Sequence, residues 1–255
     1  MRADQLLVAR GLASSRTLAR RLIEAGRVHS DGRAVARPAD LLADDARLSI
    51  TPGDEDRYVS RGGLKLAGAL EQTALDPTGL DCLDVGQSTG GFTDCLLQSG
   101  ARHVLGIDVG HRQLHPRLQQ DARVTAIEGI NARAIDAAAL GEAMPARGFG
   151  LIVVDVSFIS LTLVMPALGT LAAVDGHLLA LVKPQFEVGR DALDGRGIVR
   201  SAELFEGVRD KVTACARQCG WIPLHWLESP IRGGDGNTEF FIHAAREAVR
   251  HGTQP

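Results

Sequence analysis

Asp84-Val85-Gly86-Gln87-Ser88-Thr89-Gly90-Gly91-Phe92 is the stretch whose reading decides the fold. It follows the apolar run starting at Cys82 and precedes a segment with helical spacing, so it reads as a strand end, a glycine-rich turn and a helix start. Glycine lets a backbone approach a ligand closely, and a helix N-terminus offers free amide donors. Outward from this turn, Cys82 to Val85, His103 to Ile107, Val124 to Glu128, Phe149 to Asp155 and His177 to Val182 read as buried strands separated by crossover helices. That alternation predicts an α/β fold of Rossmann-like kind, with a mainly parallel sheet covered on both faces.

Within the turn, Asp84, Gly86, Ser88, Gly90, Gly91 and Phe92 are the candidate cofactor-binding residues. Asp108 ends the next strand, where it can accept hydrogen bonds from ribose hydroxyls. Glu128 and Asn131, after the third strand, are candidates to contact adenine or ribose, or ordinary turn residues. A glycine-rich turn with a downstream acid serves both S-adenosylmethionine and nicotinamide dinucleotides. The strict G-x-G-x-x-G spacing is absent, and Asp84 ahead of the first glycine resembles the acidic strand end of methyltransferases. The motif therefore favours S-adenosylmethionine.

The chain has 255 residues, room for one large domain or two unequal ones, and a formal net charge of −3. Its four cysteines are too sparse for a disulfide framework, and neither a C-x-x-C pair nor a Cys/His cluster suggests a metal. A reducing cytoplasm and no metal are expected. The start, MRADQLLVARGL, lacks the apolar core of a secretory signal. Val156 to Val174 is uncharged and about as long as a bilayer-spanning helix. It contains Ser157, Ser160, Thr162, Pro166 and Gly169, so a buried helix between parallel strands explains it more simply, and stable membrane insertion is not expected.

Residues 1–52 form a separate compositional unit, followed by a turn-rich linker at 53–60, a catalytic domain at 61–246 and a tail at 247–255. The first unit reads as two short helices ended by Gly11 and Gly26, then a hairpin turning at Asp31-Gly32, then a third strand at Arg47 to Ile50: a small α+β domain. Eight arginines lie between residues 1 and 37 against Asp4, Glu24 and Asp31, so the negative overall charge conceals a basic face. Arg10, Arg16, Arg20 and Arg27 are the candidate phosphate contacts. The run Asp4-Gln5-Leu6-Leu7, Ser15-Arg16, Ala19 to Ile23, Gly26-Arg27-Val28 and Asp31-Gly32 resembles the ribosomal-protein-S4-like RNA-binding domain. That resemblance implies binding of structured RNA.

Only three lysines occur, Lys65, Lys183 and Lys211, the other basic residues being arginine. Lys183 sits in Val182-Lys183-Pro184-Gln185-Phe186-Glu187, at the C-terminal end of a buried strand, where α/β proteins place ligands. A ribose hydroxyl must be deprotonated or oriented by a group whose pKa can approach neutrality, which lysine can supply and arginine cannot. Asp155 and Glu239 are the carboxylates available to position an ammonium, or each merely ends a strand.

Taken with Tyr58-Val59-Ser60-Arg61-Gly62-Gly63, Ser88 to Asp94 and Asp155 to Ser160, these segments resemble the TlyA (haemolysin A) family, whose catalytic domain is of the FtsJ-like ribose methyltransferase type. The resemblance spans nearly the whole chain. It implies that Lys65, Asp155, Lys183 and Glu239 surround a target hydroxyl, that S-adenosylmethionine is the cofactor, and that ribosomal RNA or a ribosomal subunit is the partner. Gln87 departs from the small residue expected in the turn. Two alternatives remain: a membrane-active haemolysin, and an RNA-binding protein with a degenerate methyltransferase fold. Cytosine-C5 chemistry lacks a suitably placed Cys nucleophile, and the Asn/Asp-Pro-Pro-aromatic loop of amine methylation is replaced by Asp155-Val156-Ser157-Phe158.

Overall fold

The structure, a computed structural model, describes residues 1–13, 15–53 and 56–247. All of the expected tail beyond residue 247 lies outside the described residues. Two compact units divide at Arg57 and Tyr58.

The first unit contains α1 (Ala3–Ala9), α2 (Arg16–Glu24), β1 (Val28–Ser30), β2 (Arg33–Ala34) and β3 (Leu48–Ile50). Its antiparallel sheet has the order β2-β1-β3. Ser15 caps α2, its hydroxyl accepting from Leu18 N at 3.2 Å. The hairpin turns tightly because Asp31 and Gly32 both adopt positive φ, 49° and 79°, the twist that a two-residue hairpin requires. Ala3, Leu7, Ala19, Leu22, Ile23 and Val28 close a core between helices and sheet.

The second unit runs α3 (Gly62–Thr73), β4 (Asp81–Val85), α4 (Gly91–Gln98), β5 (His103–Asp108), α5 (Pro116–Gln119), β6 (Val124–Glu128), α6 (Ala137–Leu140), β7 (Phe149–Val154), α7 (Met165–Leu168), β8 (Ala172–Val182), α8 (Pro184–Glu187), α9 (Leu204–Gln218), β9 (Trp221–Glu228) and β10 (Phe240–Arg246). The strands form one seven-stranded sheet in the order β6-β5-β4-β7-β8-β10-β9. β4 to β8 are parallel, and β10 and β9 complete the sheet antiparallel. Apolar side chains fill both faces: Leu83, Val85, Ile152 and Val154 belong to one core, and Cys82, Leu151 and Val153 to the other. Alternate residues of one strand point to opposite faces, so continuous apolar runs are what a doubly covered strand needs. Each fully buried aliphatic side chain contributes about 1.5–3 kcal/mol.

Two expectations are corrected. The linker expected at 53–60 ends earlier, because Tyr58 is buried against Gly63 and Val59 N donates to Asp94 Oδ2 at 2.8 Å, so 58–60 pack as part of the second unit. Val156 to Val174 is not one helix but a loop, a 3-10 turn at Leu161–Leu163, the four-residue α7 and the start of β8. Among the described residues no helix is long and apolar enough to cross a membrane.

Candidate active site and arginine face

The glycine-rich turn leaves β4 at the C-terminal edge of the sheet. Gly86 has φ +88°, and a Cβ there would lie 2.5 Å from the Asp155 backbone oxygen, so only glycine lets the ends of β4 and β7 come this close. Gly90, at φ +91°, turns the chain into α4 against Leu118 and Leu114. Ser88 N donates to Asp108 Oδ2 at 2.8 Å, and Gly110 N donates to Asp108 Oδ1 at 2.7 Å. The carboxylate is thereby fixed where β5 ends.

A cleft of about 270 Å³ lies beside this turn. Gly86, Asp108 and Asn131 line it, with Val109, Ile130 and Ile159 giving apolar walls and Ser157 a hydroxyl. Asn131 also accepts from Arg133 N at 3.0 Å, the turn role that the sequence left open for it.

Other turn residues support the cleft from behind. Asp84 is fully buried and its Oδ2 accepts from the Thr93 hydroxyl at 2.7 Å. Burial lifts its carboxyl to about 7; the Thr93 hydrogen bond opposes this, and the Asp155 and Asp108 charges add to it. Phe92 packs in the core and stacks on Phe241 at 6.1 Å between ring centroids. Gly91 abuts Ser60, whose Oγ would sit 2.2 Å from an added Cβ. These three therefore shape the turn rather than line the cleft.

Gln87 explains its own departure. Its side chain lies against Gly106, buried, and its Nε2 donates to Thr93 Oγ1 at 2.9 Å. The large side chain enters the core beneath the turn and leaves the cleft open. Gly106, which has no Cβ, makes that room.

The four candidate catalytic residues form two ion pairs at the same edge of the sheet. Lys183 follows β8 and its Nζ lies 2.6 Å from Asp155 Oδ1, Asp155 itself following β7. That contact is ionic without hydrogen-bond geometry, and among the described residues no other donor reaches the oxygen. Lys183 Nζ also donates to Ser157 Oγ at 2.7 Å. In the second pair, Lys65 from the first turn of α3 donates to Glu239 Oε2 at 2.5 Å, both side chains being at most 10% exposed. Phe240 pairs with Val182 across β10 and β8, which sets Glu239 opposite Lys183 at the end of the ladder. Ser157 joins the cleft to the first pair, because it both lines the cleft and accepts from Lys183.

Phe158 was not singled out from the sequence. It is 92% exposed at φ +63°, and its ring lies 5.3 Å from that of Phe186. A non-glycine residue at this φ costs about 1–3 kcal/mol and is held by its surroundings. Positive φ is not legible from a Val-Ser-Phe-Ile string, so no sequence signal announced it.

In the first unit the arginines divide by role. Asp4 is buried, and Arg2, Arg16 and Arg20 converge on its carboxylate at 3.0, 3.0 and 3.7 Å. Hydrogen bonds from Arg2 first and then Arg16 outweigh the opposing effect of burial and hold Asp4 down to about 2. Arg16 and Arg20 stay about half exposed, three cations over one anion. Arg10 instead donates to the carbonyls of Asp44 and Ala46, and Arg27 to Thr51 O and the Asp56 carboxylate. With Arg27 only 13% exposed, these two serve the fold of the unit first.

Replacing Arg16 and Arg20 together by alanine is expected to weaken RNA binding and to flatten its dependence on salt, each lost phosphate contact removing about 0.7–0.9 from the log–log slope. Binding measured across a salt series checks this. An unchanged slope would mean that this face does not touch RNA.

Comparison with known proteins matches residues 58–246 to the FtsJ-like methyltransferase model and residues 1–48 to the S4 domain. A Mycobacterium tuberculosis protein named 16S/23S rRNA (cytidine-2'-O)-methyltransferase TlyA is 43% identical over 241 residues, covering 94% of this chain and 88% of that protein. Hemolysin A of Brachyspira hyodysenteriae is 36% identical over 95% of this chain and 99% of its own length. A solved structure described as a hemolysin from Streptococcus thermophilus superposes with a TM-score of 0.75 at 40% identity, covering 97% of this chain and 88% of that one.

Proposed function

The chain belongs to the FtsJ-like methyltransferases of the TlyA (haemolysin A) family, with an S4 domain at its N-terminus, and from that membership we propose that it transfers a methyl group from S-adenosylmethionine to the ribose 2′-oxygen of a cytidine in ribosomal RNA. One observation carries the reading to the site. Ser157 belongs both to the cleft and to the Lys183–Asp155 cluster, so cofactor cleft and proton-handling groups form one continuous site.

The cleft suits the cofactor. Asp108 offers a fixed carboxylate for a ribose diol, Val109, Ile130 and Ile159 offer apolar surface for a purine, and the bare Gly86 allows close approach. When bound, S-adenosylmethionine supplies an electrophilic methyl group on sulfur. The protein's own work is alignment and charge management. Lys183, held by Asp155 and Ser157, orients the 2′-hydroxyl and stabilises the charge that develops on its oxygen, or takes its proton. Lys65 and Glu239, locked on each other, wall the pocket on the α3 and β10 side. Phe158 offers a face on which an unstacked base can rest, which single-stranded or flipped nucleotides require. Arg16 and Arg20 supply phosphate contacts from the S4 domain. The substrate places this work in the cytoplasm, on ribosomal RNA or a ribosomal subunit.

Gln87, buried beneath the turn, gives no support to a degenerate cofactor site. The haemolysin name belongs to relatives.

Asp108→Ala is expected to weaken S-adenosylmethionine binding by roughly 10- to 100-fold, the worth of a charge-assisted acceptor at about 1.5–3 kcal/mol. Calorimetry measures it, and an unchanged dissociation constant would put the ribose elsewhere. The function itself is tested by incubating the purified chain with methyl-labelled S-adenosylmethionine and ribosomal RNA. Label retained on the RNA supports the reading. Binding of a nicotinamide dinucleotide in preference to S-adenosylmethionine, with no label transferred, would overturn it.

A further inference from the structure

The two segments that deliver the lysine pair are short loops, Asp155 to Ser160 after β7 and Lys183 to Glu187 after β8. Lys183 joins them at one end through Asp155 and Ser157. A single buried carboxylate joins them at the other. Glu187, its side chain 1% exposed, accepts from Leu161 N through Oε1 at 2.6 Å and from Ser160 Oγ through Oε2 at 2.6 Å. Lys211, on α9, donates to Glu187 Oε2 at 2.8 Å and to the Glu187 backbone oxygen at 2.9 Å. The third lysine of this lysine-poor chain is thus spent on the same carboxylate.

We propose that Glu187 is a positioning residue for methyl transfer, bracing the Asp155–Ser160 loop against the Lys183 loop so that Lys183 and Phe158 are held in working register. The proposal rests on the methyltransferase reading and deepens it. The loop it braces carries Phe158 at positive φ, against Phe186 of the other loop. A non-glycine residue at that φ persists only where its surroundings over-determine it. Charge-assisted hydrogen bonds to a carboxylate removed from water are the strong kind, and three donors meet at this one carboxylate, Lys211 also reaching the residue's backbone oxygen. Neither loop has regular structure of its own beyond the four-residue α8 and the 3-10 turn that begins at Leu161. Without the brace, each would be free to shift by the ångström that alignment of a nucleophile does not tolerate.

Glu187→Gln keeps the shape but turns an amide NH₂ toward at least one of the donors, which breaks part of the brace. At saturating RNA and S-adenosylmethionine, kcat should fall by roughly 10- to 100-fold, with the cofactor dissociation constant changing far less, because Glu187 itself lines no part of the cleft and of the braced loop only Val156, Ser157 and Ile159 do. A general loss of folding would lower both, so circular dichroism and cofactor affinity are measured beside activity. Ser160→Ala and Lys211→Met each remove one arm and should give smaller losses of the same kind, and they carry the test if the Gln variant does not fold. The deciding readout is a double-mutant cycle with Lys183→Arg. If Glu187 acts through Lys183, adding Glu187→Gln to Lys183→Arg costs little more than Lys183→Arg alone. Full kcat in Glu187→Gln, or strict additivity in the cycle, overturns the proposal. Absence of methyl transfer by the unaltered protein would instead overturn the functional reading on which it stands.

Discussion

Lys183→Arg is expected to slow single-turnover methyl transfer by roughly 100-fold or more while leaving cofactor and RNA affinity little changed. The substitution separates two roles that alanine would confuse. Arginine keeps the positive charge beside Asp155 but cannot give up its proton, and its planar guanidinium does not fit the place of a compact ammonium. In the structure Nζ sits between Asp155 Oδ1 at 2.6 Å and Ser157 Oγ at 2.7 Å, close limits for a larger head group. The measurement uses saturating RNA and S-adenosylmethionine, with folding checked by circular dichroism. Near-normal turnover would mean that a positive charge alone suffices there, and Lys183 would be dismissed as base and as strict orienter.

The second large effect is on stability. Glu239→Ala leaves the Lys65 ammonium buried without a partner and should destabilise the catalytic unit by about 3–5 kcal/mol, as breaking one side of a buried ion pair does. Both tryptophans, Trp221 and Trp226, lie on β9, so their fluorescence during urea unfolding reports this unit alone. Replacing both partners with apolar residues, Lys65→Met with Glu239→Leu, should recover most of that stability, since no orphan charge remains. Methyl transfer should not return with it. A near-neutral Glu239→Ala would show that water reaches the pair, and an active double variant would remove both residues from the reacting pocket.

Much of the fold was legible because β4, β5, β7 and β8 lie inside the sheet and are covered on both faces, which writes them as largely apolar runs such as Leu151 to Val154. The antiparallel strands were harder. β9 carries Pro223 and leaves Ile222 and Leu224 about half exposed at the edge of the sheet, so its pattern is neither a buried run nor a clean alternation. β10 follows a glycine-rich loop, and its pairing with β8 rather than with its sequence neighbour alone decides where Glu239 lies.

The site was legible in identity more than in arrangement. Lys65 and Glu239 stand 174 residues apart, and composition alone does not join them; the family resemblance did. The glycine-rich turn announced a ligand site, but a motif does not say which way each side chain points. Asp84 and Phe92 point into the core and Asp108 into the cleft, because alternation along β4 and the first turn of α4 fix their faces. Glu187 was quoted beside Lys183 without a role, since its partners Ser160, Leu161 and Lys211 come from two other elements.

The central claim is that methylation falls on ribose, at a 2′-oxygen held by the Lys183–Asp155 pair. Ribosomal RNA labelled by the purified protein from methyl-labelled S-adenosylmethionine, then hydrolysed in alkali, tests it most directly. Alkaline cleavage requires a free 2′-hydroxyl to attack the adjacent phosphodiester. The expected result is label in alkali-resistant dinucleotides whose first nucleoside is 2′-O-methylcytidine, and none in preparations made with Lys183→Arg beyond its residual rate. Label released entirely in mononucleotides, on a base with its 2′-hydroxyl intact, would contradict it.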